Sequence, residues 1–257
     1  MMNPESYFST IGNLDLRAYR AGVENPGLIR ERSGDLTVEY APFDHIEEGA
    51  ELVIVGLTPG RQQAANALET LAGDLKIGTS PKLALERAKR TASFSGPMRA
   101  SLLAMLDEIG VPALYGRTSA SEFFSDHQSR VHFTSALRYP VYLDGKNYSG
   151  TPNPLSHPIL KQMIETHLAE EAERLQTAIW VPLGQHAEAA LLHLAGKGHL
   201  PRENILAGLP HPSGANAERI AYFLGQKNRT SLSAKTNPAK IDEAKQRLIH
   251  QVEFHRR

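Results

Sequence analysis

Cysteine is missing from all 257 residues. Its absence removes disulfides, thiolate nucleophiles, zinc–thiolate sites and cysteine-ligated iron–sulfur clusters together. Net charge is missing too: 28 Lys and Arg balance 28 Asp and Glu, so the chain lacks the basic excess usual in nucleic-acid binders. No apolar run approaches the ~18 residues that suggest a membrane span. The opening stretch MMNPESYFSTIGNLDL has no basic start leading into an apolar segment, so a cytoplasmic location without a signal peptide is expected. Several signatures are also absent. No GK[ST] closes GLTPGR into a phosphate cradle, no G-x-G-x-x-G opens a helix, and no G-x-S-x-G supplies a serine nucleophile. The 11 histidines are scattered without an H-E-x-x-H pair, so neither a metal site nor a cofactor is expected.

What is present is an alternation of apolar runs and helical patterns. A possible strand covers residues 36–40 within an otherwise irregular first 50. Residues 52–55, Leu-Val-Ile-Val, form a β-branched run ended by Gly56, as in a buried strand. RQQAANALETLA then reads as a helix. Residues 75–92 are Lys/Arg-rich, a helix within an insertion, and GPMRASLLAMLDEIG places Met98, Leu102, Met105, Leu106 and Ile109 on one helical face. VHFTS at 131–135 is a second strand, ILKQMIETHLAEEAERLQ a long helix, AIWVPLG a third strand and QHAEAALLHLAG a helix. Residues 205–207 form a fourth strand, AERIAYFLG follows as a helix, and residues 237–257 form a terminal helix. This order predicts one domain over 1–257, with its core at 51–225 and a helical tail at 226–257. The fold class is α/β, three-layer α/β/α around a four-stranded parallel sheet. In such sheets the functional loops follow the C-terminal ends of the strands, here GLTPG, TSALRYP and PHPSG.

Read as local punctuation, PHPSGAN is a strand-to-helix turn with a helix cap. Charge is uneven along the chain. Residues 81–99 hold five basic residues against Glu86, and the stretch from Gln226 onward holds eight against three acidic ones. Such surface is enough to contact phosphates, or is a solvated charged face.

Taken together, the three loops resemble those of the uracil-DNA glycosylase superfamily, over about 51–225. VIVGLTPG is similar to its first motif, a strand followed by G-x-x-P-G, and LPHPSGANAER to its H-P-S motif. SFSGPMRASLLAMLDEIGV, VHFTSALRYP and TAIWVPLGQHAEAAL are similar to segments of the bacterial and archaeal branch, whose cluster-binding cysteines this chain lacks, so no iron–sulfur cluster is implied. The resemblance implies hydrolysis of the N-glycosidic bond of uracil or another damaged base in DNA, as in base excision repair. It casts His211 as stabiliser of charge on the departing base and Thr58 as the residue orienting the attacking water. Gly56, Leu57, Pro59 and Gly60 would border the base, Phe94 stack on it and Ser135 read its edge. Ser213, Gly214, Asn216 and Arg219 would meet a DNA phosphate.

The chain departs from the family at three places. Leu57 and Thr58 stand where active members commonly have Asp, Glu or Asn, and a threonine hydroxyl is no general base near pH 7. Ser135 replaces the asparagine that pairs with uracil. Gly214-Ala215-Asn216 carries no apolar wedge, which favours single-stranded or damaged DNA because extrusion from a duplex costs a few kcal/mol. Two alternatives stay open: a catalytically silent relative that binds nucleic acid or a nucleobase, and a nucleotide-binding α/β domain of other ancestry.

Overall fold

The computed structural model describes residues 3–93, 97–124 and 130–256. In chain order its named elements are α1 (Phe8–Gly12), α2 (Leu16–Arg20), β1 (Ile29–Ser33), β2 (Leu36–Glu39), β3 (Leu52–Gly56), α3 (Arg61–Lys76), α4 (Pro81–Ala92), α5 (Pro97–Glu108), β4 (Val131–Ser135), β5 (Val141–Leu143), β6 (Lys146–Asn147), α6 (Pro158–Met163), α7 (Ala169–Arg174), β7 (Ile179–Pro182), α8 (Gln185–Gly196), α9 (Ala217–Phe223) and α10 (Pro238–His255). A π-helical turn over Ile164–Leu168 joins α6 to α7. The chain divides into two compact units: Met1–Ile46, Gly56–Ser93 and Phe133–Glu171 in the first, Glu47–Val55, Phe94–His132 and Ala172–Arg257 in the second.

The first unit carries an antiparallel sheet in the order β1-β2-β5-β6. Two turns set it up. Ser33 pairs with Leu36 across Gly34–Asp35, where Gly34 supplies the positive φ of +56° that two-residue hairpin turns demand. Leu143 pairs with Lys146 across Asp144 and Gly145, at φ 50° and 70°, the Asp-Gly pair of a type I′ turn. The expectation of an irregular first 50 residues is thus corrected. β1 has a burial pattern of half-buried and exposed residues and no apolar alternation, so periodicity alone did not mark it as a strand. α3 buries Ala64, Ala65, Ala67, Leu68, Leu71 and Ala72, and the small alanines let α4 pack closely against it.

The second sheet has the order β4-β3-β7. β3 is central and fully buried, as its unbroken apolar run requires. It pairs in parallel with β7, Leu52 opposite Ile179 through Val55 opposite Pro182. The fold is α/β, but among the described residues the parallel sheet has three strands, not the four expected. The segment at Ile205 reaches it through a single parallel bridge to Trp180. Leu206 N donates to Trp180 O at 2.8 Å, and then Ala207 N turns back onto Ile205 O at 3.1 Å. That local turn, followed by Gly208 at φ +118° and by two prolines without amide hydrogens, ends the ladder after one rung. α10 backs this segment: a Cβ on Gly208 would stand 3.0 Å from Ala244 Cβ. No helix among the described residues is long and apolar enough to cross a membrane.

Candidate functional site

In the first unit, the chain after β3 is tied to the chain after β4. Ala136 N donates to Gly56 O at 2.8 Å and Leu137 N to Leu57 O at 2.9 Å. Thr58 completes the tie with its side chain, donating to Tyr139 O at 3.1 Å and accepting from Val141 N at 3.2 Å. The hydroxyl therefore spends its only proton on the backbone and keeps one lone pair. Pro59 is buried. Gly60 N donates to Gln63 Oε1 at 3.1 Å, closing the start of α3, and a Cβ on Gly60 would meet Asn147 Nδ2 at 3.4 Å. Leu57, Thr58 and Ser135 are half-buried, so each retains a solvent-reachable face.

The segment after Ser135 is anchored by charge. Arg138, 4% exposed, donates from Nε to Glu171 Oε1 at 2.9 Å and from Nη2 to His167 O at 3.1 Å, with Glu170 Oε2 at 3.3 Å. Tyr139 donates to Asp44 Oδ1 at 2.5 Å. Burial and the Arg138 guanidinium push His167 down to about 4, so it is a neutral ring. A buried cation survives only where its partners replace water, and here they hold the strand end on which Ser135 sits.

In the second unit, His211 is half-buried between Pro210 and buried Pro212. Ser213 N donates to its Nδ1 at 3.3 Å, which makes Nδ1 the acceptor and places the ring proton on Nε2. Burial lowers its pKa from 6.5, so near neutral pH the ring is an uncharged Nε2–H donor. Gly184, the N-cap of α8 two residues past β7, lies under it: a Cβ there would stand 3.3 Å from His211 Cβ and 3.6 Å from Cδ2. Asn216 Nδ2 donates to His211 O at 3.2 Å, and Arg219 Nη1 donates to Asn216 Oδ1 at 3.1 Å. Arg219 is exposed and also reaches Lys235 O at 3.4 Å. Gly214 is exposed and Ser213 half-buried. His211, Ser213, Asn216 and Arg219 thus form one hydrogen-bonded loop.

Phe94 lies outside the described residues. Of the basic residues at 81–99, Lys89 faces inward: it is 4% exposed, donates to His45 O at 2.6 Å and is pushed by burial down to about 8. Arg87 and Arg90 pair with Asp74 at 3.2 Å and Glu86 at 3.0 Å. Sequence reasoning missed Tyr139 and Val141 as the anchors of Thr58, and Gly184 as the floor under His211. The only local signals were a proline after Tyr139 and a glycine ending an apolar run.

Residues 43–239 match the family described as the Uracil DNA glycosylase superfamily. The uncharacterized protein YoxB of Bacillus subtilis (strain 168) is 36% identical over 217 residues, covering 83% of this chain and 84% of that protein. No solved structure gives a significant match.

Proposed function

Because the chain belongs to the uracil DNA glycosylase superfamily, we propose that it hydrolyses the N-glycosidic bond of a uracil or another damaged base in DNA, as a step of base excision repair in the cytoplasm. The observation that carries this reading is His211: a neutral imidazole whose Nδ1 accepts from Ser213 N at 3.3 Å, leaving Nε2–H as a fixed donor. As the bond between C1′ and the base nitrogen breaks, its electron pair leaves with the base. A preoriented neutral donor stabilises that developing charge without reorganising. Water then adds to the cationic sugar carbon to form the C1′ hydroxyl, and the proton it loses passes to solvent, from which the released base anion is protonated. Thr58, with one lone pair left, accepts a hydrogen bond from that water and orients it without acting as a base. Ser135 reads the base edge, with Gly56, Leu57, Pro59 and Gly60 bordering the base and Phe94 stacking on it. Ser213, Gly214, Asn216 and Arg219 contact the DNA backbone, and single-stranded or damaged DNA is the favoured substrate. The proposed architecture around the parallel sheet is α/β/α.

The test is a strand-cleavage assay at abasic products. It uses single- and double-stranded oligonucleotides carrying uracil, hypoxanthine, xanthine or oxidised pyrimidines, with His211→Ala as control. Excision of at least one base, reduced 100-fold or more in the variant, is expected. Thr58 also supports a second reading, a relative that binds nucleic acid or a nucleobase without cleaving it, because its hydroxyl proton is already committed to Tyr139 O. Absence of excision across the panel, with DNA binding that weakens steeply as salt is added, would establish that reading instead.

A further inference from the structure

We propose that the first unit carries a second site, a cavity of about 250 Å³ beside β2 and the start of α3, that takes a small organic cation with a guanidinium or alkylammonium head. None of the residues lining it is among those assigned to base excision, and the proposal does not depend on that reading.

The argument begins with Glu39. It ends β2, all four of whose residues are buried, and is itself 1% exposed. A carboxylate so placed needs partners that replace water. It has an incomplete set. The Tyr19 hydroxyl hydrogen-bonds it, and Tyr19 in turn meets the Tyr142 hydroxyl at 3.1 Å. Glu39 Oε2 has no hydrogen-bond partner, and neither does the nearest cationic atom, Arg61 Nη1, 4.0 Å away.

Arg61 cannot simply close that gap, because it is held elsewhere. Its guanidinium lies 3.8 Å from the centre of the Tyr142 ring, Nη2 reaches Gly145 O at 3.4 Å, and its backbone N donates to Asn147 Oδ1 at 2.9 Å. Glu39 thus lines the cavity while one of its carboxylate oxygens stays buried without a hydrogen-bond partner, and burial raises the pKa of its carboxyl.

The walls choose the ligand. Glu24, Asp35, Glu39 and Asp144 line the cavity against Arg32 and Arg61, so carboxylates outnumber guanidiniums and an anion is disfavoured. Arg32 is already paired with Glu24 at 2.6 Å. The acids are spread around the space: no three metal-ligating side chains converge among the described residues. Spread acceptors suit a ligand whose N–H donors are themselves several ångströms apart, with the planar head forking onto Glu39. The rim is built to stay in place, because both hairpin turns contribute to it and Asp144 N donates to Asp35 O at 3.1 Å. The cavity is smaller than typical drug-sized pockets, which fits a ligand of about ten heavy atoms.

Isothermal titration calorimetry of the full chain with agmatine tests this, with acetyl-Gly-Arg-Gly-amide and sodium sulfate as parallel titrants. One-to-one saturable binding of agmatine is expected, weakened at least tenfold by the isosteric Glu39→Gln, which corresponds to about 1.4 kcal/mol. Asp35→Asn and Asp144→Asn at the exposed rim should each weaken it about twofold to fivefold while leaving the circular dichroism spectrum unchanged, so the test survives if Glu39→Gln does not fold. Tighter binding of the peptide than of agmatine supports the same chemistry and assigns it to a partner's arginine. No saturable binding of either cation, binding indifferent to all three substitutions, or saturable binding of sulfate in their place overturns the proposal.

Discussion

Gly184→Ala separates a structural reading of His211 from a catalytic one. Gly184 adopts φ 87° and ψ 167°, a region open essentially to glycine alone, where another residue costs about 1–3 kcal/mol. For a chain of this size each kcal/mol lowers Tm by roughly 2–4 °C, so a fall of about 2–12 °C is expected. The second effect is directional. The added methyl carbon would stand 3.3 Å from His211 Cβ, closer than a relaxed carbon–carbon contact of about 3.5–4.0 Å, so the imidazole has to give by a few tenths of an ångström. Misplacement by 1 Å costs about 100-fold in a positioned reaction. A shift of this size therefore predicts about threefold to tenfold slower single-turnover excision. Histidine-ring NMR reads the displacement without relying on activity. The depressed His211 pKa, which comes from burial, should rise toward 6.5 as the ring is pushed outward. A Gly184→Ala protein with unchanged Tm and unchanged His211 titration would refute the reasoning about this contact. A displaced ring with an undiminished rate would instead refute the role given to His211.

Other substitutions probe the remaining contacts. Thr58→Val strands the Val141 amide and the Tyr139 carbonyl, and should lower urea-unfolding stability by about 1–3 kcal/mol, whereas Thr58→Ser should retain most of it; equal stability of the two variants would dissolve the proposed tie. His167 is held down to about 4, so the unfolded chain takes up the proton first. Stability contributed by the neutral ring is complete above about pH 6.5, falls with acidification and levels off below about 4, an effect of about 3 kcal/mol. His167→Gln should flatten that slope in urea titrations between those limits, and an unaltered slope would exclude the ring as its source. Ser135→Asn should raise uracil excision relative to other bases about tenfold, the equivalent of about 1.4 kcal/mol, because an amide offers uracil a paired edge where one hydroxyl cannot. Rapid uracil excision by the wild type, slowed by the substitution, would contradict that account.

Features that arise from nearest neighbours were readable in the residue string. The run Leu-Val-Ile-Val became the buried central strand β3, the alanine-rich pattern after Arg61 became α3, and the spacing from Met98 to Ile109 became α5, because period and burial are set over a few residues. The Asp-Gly of the β5–β6 hairpin was equally local, and a turn-first reading of VYLDGKNY would have found it. The fourth strand failed on a different scale. Residues 205–207 are apolar enough, but Ala207 N finds Ile205 O before it finds a neighbouring strand, a choice between two acceptors that hydropathy does not encode. The candidate site divides the same way. PHPSG announced a constrained histidine, since proline restricts its own φ and its predecessor. That the ring is a neutral Nε2–H donor rests on one amide, Ser213 N, and that it cannot recede rests on Gly184, 27 positions earlier in the chain. Thr58 looked like a free hydroxyl because its partners, Tyr139 and Val141, are more than 80 residues away. Nothing in the residue string sets Glu39 and Arg61 apart from other charged residues. Only the folded chain leaves a carboxylate oxygen and a guanidinium nitrogen 4.0 Å apart and out of water, because burial and long-range pairing depend on where distant segments come to rest, not on the residues beside them.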